Sequence, residues 1–368
     1  MLSVIDRYIL RSLVFNYAVS LGTMLSLYVV LDLFVNMDEF TEHGYPTWTV
    51  VGHVIDYYWP NLFLYFSQLS GVITLFACVA TIARMRRHNE MTAVLASGVS
   101  LYRLARPVLA FGIMATGLMI LDTEWIIPKV AYKLARDHDD VPAQHAYEVL
   151  FLPDRDGALL SARRFHPTDR DLKGLLVMRR DEHGALMETL EADQAVWIPP
   201  RVSGAPGVWE LRRARRTRRL REETAALGPR STSVVDYPTR YESLLSPEDI
   251  QLRQSEGWIR FLSLRQLEEL KRHGSADLTA ILQTEHARRT APIVAVILLL
   301  LGLPFFLDRS PTNMLSDTGR CVLVCGACYV STFLAQSIQL GTTSAWPAWI
   351  PIFVFGTTAV VLIDRIRT

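Results

Sequence analysis

The sequence predicts an α-helical membrane protein with six transmembrane helices, arranged three plus three around an inserted extracytoplasmic domain of jelly-roll-like β structure. The residues between 321 and 363 include no Asp, Glu, Lys, Arg or His. A bilayer core of about 30 Å needs roughly 20 apolar residues per helix, so this run crosses twice, with a polar break at 341–347. Four further runs are almost free of charge: 13–35, 62–83, 107–121 and 290–307. The polar block from Glu124 to Arg289 is long enough for one small domain.

These runs divide the chain into three predicted parts. Residues 1–127 hold helices one to three, together with a short helix at 89–98 in the loop after the second. Residues 128–285 form the extracytoplasmic β domain, and residues 286–368 hold helices four to six. The first apolar run exceeds 20 residues, whereas a signal-peptide core has about 7–15, so it is expected to be a retained anchor.

Basic residues near the helix ends predict the orientation of the chain in the membrane. They lie before the first run, between runs two and three, between runs four and five, and after the sixth: Arg7, Arg11, Arg84, Arg86, Arg87, Arg103, Arg106, Arg309, Arg320, Arg365 and Arg367. The loop after the first run instead carries Asp38, Glu39 and Glu42. Both termini are therefore expected in the cytoplasm, with the large domain outside. Arg288 and Arg289 oppose this orientation, but they border a long translocated domain, where the rule is weak.

The polar block alternates candidate strands with turn residues. The strands are expected at 147–152, 158–165, 172–179, 186–198, 208–221 and 232–241. Spacings near ten residues, with turn signals between them, favour an antiparallel sandwich or jelly roll and leave the strand count open. An amphipathic helix is expected at 264–273, where Leu264, Leu267 and Leu270 share one face.

Two patterns suggest chemistry that their surroundings disfavour. Cys321, Cys325 and Cys328 have the spacing of an iron–sulfur site, but they also form one stripe of an apolar helix. Packing between helices is therefore expected there, and no metal. The arginine run at 212–221 could neutralise nucleic-acid phosphates, but its extracytoplasmic position excludes that partner. A solvated strand is expected, with anionic lipid headgroups or a phosphorylated glycolipid as the functional alternative.

The sequence contains no recognisable catalytic constellation. It has no Gly-Lys pair, which a phosphate-binding P-loop requires, and neither His-Glu-x-x-His nor Gly-x-Ser-x-Gly. The protein is therefore expected not to be an enzyme, to bind no cofactor and to have no nucleotide-binding site of its own. Another subunit would supply the energy for any work that it does.

The loop between helices two and three carries the strongest local pattern. Asn89 is a plausible N-cap, Met91, Val94 and Leu95 lie on one face, and Gly98 ends the helix. A short amphipathic helix between two spans fits a lever that docks in a groove of a soluble partner. It fits an interfacial helix lying on lipid equally well.

Four segments carry a resemblance to a known family. They are NEMTAVLASGVSLYRLARPVL at 89–109, EWIIP at 124–128, SPEDI at 246–250 and LLLLGLP at 298–304. In these segments, and in its three-plus-three arrangement, the chain is similar to the lipopolysaccharide-export permeases LptF and LptG. The resemblance implies an inner-membrane permease subunit of a bacterial ABC-type exporter that pairs with a paralogous permease. It also implies that the short helix couples to a cytosolic ATPase dimer, through Glu90, Met91, Val94 and Leu95.

The resemblance further implies that helices one and five line a lateral gate. The outside domain would then pass lipopolysaccharide, or a related glycolipid, to a periplasmic bridge protein. Family members often place basic residues at the outer end of helix one to hold lipid phosphates, whereas this chain has Asp32, Asn36, Asp38 and Glu39 there. Lys129, Lys133 and Arg136 are then candidate lipid-binding residues, or simply interfacial anchors; the clamp could also belong to the partner, or the lipid could differ. A non-transporting scaffold or sensor with a ligand-binding β domain is the alternative function.

Overall fold

The computed structural model describes ten stretches of the chain: residues 3–37, 46–135, 146–181, 185–199, 207–222, 230–255, 257–272, 278–307, 314–337 and 346–364. Their contacts group into two compact units. The helical unit comprises Met1–Asp38, Tyr58–Lys129 and Ile259–Thr368, and the β unit comprises Glu39–Tyr57 and Val130–Trp258.

Among the described residues, six helices are long and apolar enough to cross a membrane, which confirms the predicted six-helix architecture. They are α1 (Val4–Val35), α2 (Thr47–Arg87), α4 (Leu101–Leu121), α8 (Leu278–Gly302), α9 (Met314–Ser337) and α10 (Ile350–Asp364). The short helix α3 (Glu90–Ala96) connects α2 to α4. A π-helical turn (Asp122–Ile126) extends α4 into α5 (Ile127–Leu134). Of the break predicted at 341–347, residues 341–345 lie outside the described part of the chain.

Two glycines allow the long helices to approach each other closely. A Cβ atom on Gly112 of α4 would lie 2.2 Å from Cδ2 of Leu299 in α8. A Cβ atom on Gly302 of α8 would lie 2.3 Å from Cδ1 of Leu75 in α2. Both separations are far inside the carbon–carbon contact distance of about 3.5–4.0 Å. The glycines therefore permit α8 to pack directly against α4 and α2, within one shared hydrophobic core.

The β unit contains an antiparallel sheet with seven strands among the described residues. They are β1 (Tyr147–Pro153), β2 (Ala158–His166), β3 (Asp171–Arg180), β4 (Leu186–Ile198), β5 (Gly207–Glu222), β6 (Arg230–Asp236) and β7 (Arg240–Ser243). Strands β1 to β6 pair in chain order, and β7 pairs with the first residues of β5. The predicted insertion of a β domain between helices three and four is thereby confirmed.

The inner face of the sheet has a hydrophobic core of its own. Phe165, Leu172 and Trp209 are fully buried, because alternate residues of each strand point to the same face. The indole Nε1 of Trp209 donates to the carbonyl of Leu245 at 3.2 Å, so its polar atom is satisfied. Ile250, in the short helix α6 (Pro247–Gln254), is buried in the same core. The β unit thus has its own source of hydrophobic stabilisation.

The last predicted strand is wrong in one respect. The sequence predicted a single strand at 232–241, whereas the structure has β6 and β7, interrupted at residues 237–239. Pro238 lies in this interruption and has no N–H group to donate to a sheet. Because of the interruption, β7 pairs with the start of β5 and β6 pairs with its end. The helix predicted at 264–273 is observed as α7 (Leu264–Arg272), and His273 lies outside the described residues.

The three cysteines of α9 lie on a buried stripe that faces α8. The Sγ atom of Cys325 is 3.7 Å from the carbonyl oxygen of Leu298 and 4.0 Å from Sγ of Cys321. Cys328 is buried as well, and its carbonyl accepts a hydrogen bond from the hydroxyl of Thr332 at 2.8 Å. These contacts are those of small side chains at a helix–helix interface. That the thiols bind no metal stays a prediction.

Candidate functional site

The short helix α3 is delimited by a special backbone conformation at each end. Asn89 has a φ of 57°, in the left-handed region, and its side chain makes no capping hydrogen bond. Asn89 thus occupies the predicted N-cap position, and its carbonyl accepts a hydrogen bond from the N–H of Ala93 at 3.1 Å. Its side chain does not cap the helix; asparagine instead suits the position because it tolerates the left-handed backbone that the turn needs. Gly98, with a φ of 81°, follows the helix as predicted, and its N–H donates to the carbonyl of Leu95 at 3.0 Å.

The apolar face of α3 packs on the helical unit itself. The side chain of Met91 is 3% exposed, and those of Val94 and Leu95 are half-buried. These side chains share one hydrophobic cluster with Ile9 and Leu13 of α1. The other face is exposed and small, and it consists of Thr92, Ala93, Ala96 and Ser97. The contacts of α3 thus leave open a face of small side chains, two of them hydroxyl-bearing and two of them alanines.

Glu90, the first residue of α3, is hydrogen-bonded to α1. The hydroxyl of Tyr8 donates to the two carboxylate oxygens of Glu90, at distances of 2.9 and 2.8 Å. An ionised carboxylate has about four acceptor positions, so a single phenol does not exhaust its capacity. Glu90 is only half-buried. Its carboxylate therefore remains able to accept hydrogen bonds from a basic partner.

The last turn of α2 is paired with the first turn of α9. Arg86 Nη1 lies 3.2 Å from Asp317 Oδ2, and the two side chains are 14% and 6% exposed. Buried charges are costly to remove from water unless they are paired. This pair therefore holds the start of α9 beside the end of α2. Its arginine, Arg86, is four residues before Glu90 in the sequence.

A second polar cluster lies where α4 ends, and the sequence analysis did not predict it. Arg288 of α8 donates to the carbonyl oxygens of Thr123, at 2.7 Å, and Arg260, at 2.8 Å. Its guanidinium also lies 3.6 Å from Glu124, which accepts a hydrogen bond from the N–H of Leu264 at 3.0 Å. Arg288 thus joins α8 to the extension of α4 and the start of α7. This structural role explains why Arg288 departs from the expected charge pattern; that departure was the one signal in the sequence.

Asp122 opens the π-helical turn beside this cluster. Its side chain is 2% exposed, and neither carboxylate oxygen has a hydrogen-bond partner among the described residues. Arg288 is close enough to act on this carboxyl electrostatically. π-Helical turns are rare, and they are frequently found at functional sites. The end of α4 thus combines an irregular backbone with buried acidic and basic groups.

The structure describes two of the three basic residues that were predicted to bind lipid. Lys129 is exposed, and Nζ of Lys133 lies 3.5 Å from Oδ1 of Asp56. Arg136 lies outside the described residues. In α1, Asp32 accepts a hydrogen bond from the hydroxyl of Tyr58 at 2.8 Å. Lys129 is thus exposed to an anionic headgroup, whereas Lys133 would have to exchange Asp56 for it.

The arginine run at 212–221 lies in β5. Arg216 pairs with Asp236 through two donor atoms, and its Nε lies 3.7 Å from Glu188. The hydrogen bond from Arg216 holds the pKa of the Asp236 carboxyl below its usual value. Most of the other described arginines of the run are exposed. A cavity of about 320 Å³ nearby is lined by several charged side chains, among them Arg155, Asp156, Arg179, Glu188, Arg216, Arg218, Arg240 and Glu242.

The sequence was compared with models of known protein families, and it matches one of them. The model of one family, described as lipopolysaccharide export system permease LptF/LptG, matches residues 7–365. The chain belongs to this family. No curated protein matched the sequence. Members of the LptF/LptG family are permease subunits of a transporter rather than classical enzymes. With six apolar helices of membrane-spanning length in the part that the structure describes, the chain is a multi-pass membrane protein.

The matched range includes the contacts of Arg86 and Glu90, the cluster around Arg288, and the β unit. The features described above therefore belong to the part of the chain that it shares with the LptF/LptG family.

Proposed function

We propose that this LptF/LptG-family chain is the permease subunit of an ABC-type exporter in the bacterial inner membrane. It extracts lipopolysaccharide, or a related glycolipid, and passes it through the β unit to a periplasmic bridge protein. A separate cytosolic ATPase dimer drives the cycle, and a paralogous permease completes the transporter. The observation that carries this proposal is the family match over residues 7–365, together with the six membrane-length helices found among the described residues.

In this proposal α3 is the coupling helix. Glu90 offers a carboxylate with acceptor capacity to spare, and the open face of α3 carries small side chains that can enter a groove. Met91, Val94 and Leu95 contribute from the other side. Because they pack in the hydrophobic cluster of the helical unit, they transmit a movement of α3 to the helices around it.

The lipid contacts are assigned to the basic residues that follow α4. Lys129 is exposed, and Lys133 has Asp56 as its partner in this structure. A lipid phosphate can replace a carboxylate as the partner of an exposed lysine, because both anions accept hydrogen bonds from the ammonium group. Arg136, which follows in the sequence, is the third member of this proposed set.

Co-purification tests the proposed function. The tagged chain is produced together with the paralogous permease and the cytosolic ATPase, and it is then purified in detergent. We expect the ATPase to co-purify and its ATP hydrolysis to respond to added lipopolysaccharide. The matched control is the tagged chain produced with the ATPase but without the paralogue. A chain that purifies without the ATPase in both preparations would support a scaffold or sensor instead.

The proposed orientation gives a separate prediction for cysteine labelling. The basic residues at the helix ends favour a cytoplasmic α3 and an extracytoplasmic β5. The native cysteines Cys78, Cys321, Cys325 and Cys328 are buried, so single introduced cysteines can be compared directly. In intact spheroplasts, an impermeant maleimide should label Arg215→Cys, and it should label Glu90→Cys only after the membrane is permeabilised. The reverse pattern would refute the orientation and with it the transport proposal.

A further inference from the structure

The segment that joins α2 to α3 is bonded to two different long helices. Arg86, in the last turn of α2, pairs with Asp317 of α9 at 3.2 Å. Glu90, at the start of α3, accepts hydrogen bonds from Tyr8 of α1 at 2.9 and 2.8 Å. These contacts join residues that are 231 and 82 positions apart in the sequence. One short stretch of chain therefore contacts both α1 and α9.

The turn between these two contacts is itself hydrogen-bonded. The N–H of His88 donates to the carbonyl of Arg84, and the N–H of Asn89 donates to that of Arg86, each at 3.1 Å. The left-handed conformation of Asn89 then sets the direction of α3. We call residues 84–90 the elbow. These two bonds join the elbow to α2, and the N–H of Ala93 donates to the carbonyl of Asn89 at 3.1 Å, so the elbow is hydrogen-bonded to α3 as well.

The two helices that the elbow contacts are packed over only part of their surface. Among its described residues, α1 buries Ile9 and Leu13, both within five positions of Tyr8. The remainder of α1 exposes large apolar side chains such as Leu27. In α9, Leu323 is likewise exposed, opposite the buried cysteine stripe. Elements with few buried contacts move at low cost in free energy, so contacts at their ends have a large influence on their position.

We propose that Tyr8 and Asp317 are positioning residues of the coupling apparatus, through which the elbow transmits movement of α3 to α1 and α9. This rests on the proposed function, in which α3 docks on the ATPase. Movement passes from Glu90 to Tyr8, which belongs to α1, and from Arg86 to Asp317, which belongs to α9. The two helices therefore receive the movement through separate contacts that can be broken one at a time.

The test compares Tyr8→Phe and Asp317→Asn with wild type in proteoliposomes that contain the paralogue and the ATPase, with lipopolysaccharide as the transported lipid. Both substitutions keep side-chain size. Affinity for the ATPase should stay close to that of wild type, because Glu90 is intact. Lipopolysaccharide moved per ATP hydrolysed should fall roughly tenfold or more, as a lost hydrogen bond to a charged group predicts. The matched control is Tyr102→Phe, which removes the hydroxyl of an exposed tyrosine at the start of α4 and should have no effect.

Pairs of spin labels distinguish the two contacts. One pair joins Leu27→Cys in α1 to Ile113→Cys in α4, and the second joins Leu323→Cys in α9 to the same position; all three native side chains are exposed. The distances are compared without nucleotide and after trapping with ATP and vanadate. Tyr8→Phe should reduce the distance change of the α1 pair alone. Asp317→Asn should reduce that of the α9 pair alone.

Each outcome bears on the proposal. The proposal is overturned if both variants transport as much lipid per ATP as wild type and show the same nucleotide-dependent changes in spin-label distance. The proposed function still stands in that case, provided that Glu90→Ala abolishes transport. Loss of ATPase binding in Tyr8→Phe would also overturn the proposal, because Tyr8 would then merely orient Glu90 for docking. In a Glu90→Gln background, Tyr8→Phe should add little further loss. If Glu90→Ala binds and transports normally, the coupling role proposed for Glu90 is wrong, and with it the route from Glu90 to Tyr8.

Discussion

Replacing Glu90 by alanine is expected to weaken association with the cytosolic ATPase by about 30-fold or more and to abolish transport. Truncating one member of a hydrogen-bonded charge pair at an interface typically costs about 2–5 kcal/mol. The substitution also removes the group to which Tyr8 donates. The chain should still insert and pair with its paralogue, because Met91 keeps α3 in the hydrophobic cluster. The affinity of the purified permease pair for the ATPase, and complementation of a transport-deficient strain, measure the two effects.

The matched control for this substitution is Glu191→Ala, which removes an exposed carboxylate from β4 and should leave both measurements unchanged. Glu90→Lys should be more damaging than Glu90→Ala, since it places a positive charge against a basic partner. Normal ATPase binding and full complementation by the alanine variant would show that Glu90 has no coupling role.

Replacing Arg288 by alanine is expected to destabilise the helical unit by about 3–5 kcal/mol, the usual effect of removing one member of a buried ion pair. The lower end of this range is expected, because Arg288 and Glu124 keep 11% and 21% of their side chains exposed. Without the guanidinium, Glu124 and the buried Asp122 lose their nearby cation, and two carbonyl oxygens lose their donor. Thermal unfolding of the purified chain in detergent measures the change.

The neighbouring Arg289 provides the control for Arg288. Its side chain is 54% exposed and pairs with Glu285 one turn away; pairs of this kind contribute about 0–1 kcal/mol. Arg289→Ala should therefore lower stability far less than Arg288→Ala. Arg288→Lys should be intermediate, because lysine keeps the charge but lacks the planar fork that reaches both carbonyl groups. Equal effects of the two alanine substitutions would contradict the assignment of Arg288 as the joint between α4, α7 and α8.

The long helices and most strands could be predicted because the residues of each element, and those that flank it, are enough to identify it. Runs without charge identify the membrane-length helices, and turn residues bound the strands; the strand predicted at 186–198 has those limits in the structure. The error at 232–241 has a local cause as well. Pro238 stands inside that pattern, and its missing N–H group explains why one predicted strand is two.

The contacts of the candidate site could not be predicted in the same way, because they join distant parts of the chain. The pattern at Met91, Val94 and Leu95 shows that these side chains share a face, but not that the face packs in a cluster with α1. The sequence likewise carries no sign that Tyr8 donates to Glu90. Such pairs follow from how the helices pack, and helix packing depends on close approaches rather than on local periodicity.

The placement of the buried residues in α1 has a mechanical consequence. Leu13 lies five residues from Tyr8 and 22 residues from Val35, so at about 1.5 Å per residue the two arms measure about 8 and about 33 Å. A displacement of about 1 Å at Tyr8, around a pivot at Leu13, becomes about 4 Å at Val35. The hydrogen bond from Tyr58 to Asp32 lies on the long arm, where such a swing stretches it first. With these proportions α1 acts as a lever that enlarges a small displacement at Tyr8 into a larger one at Val35, on an arm that is tied to α2 by the bond from Tyr58 and by that from Asn16 to Thr81 at 2.8 Å.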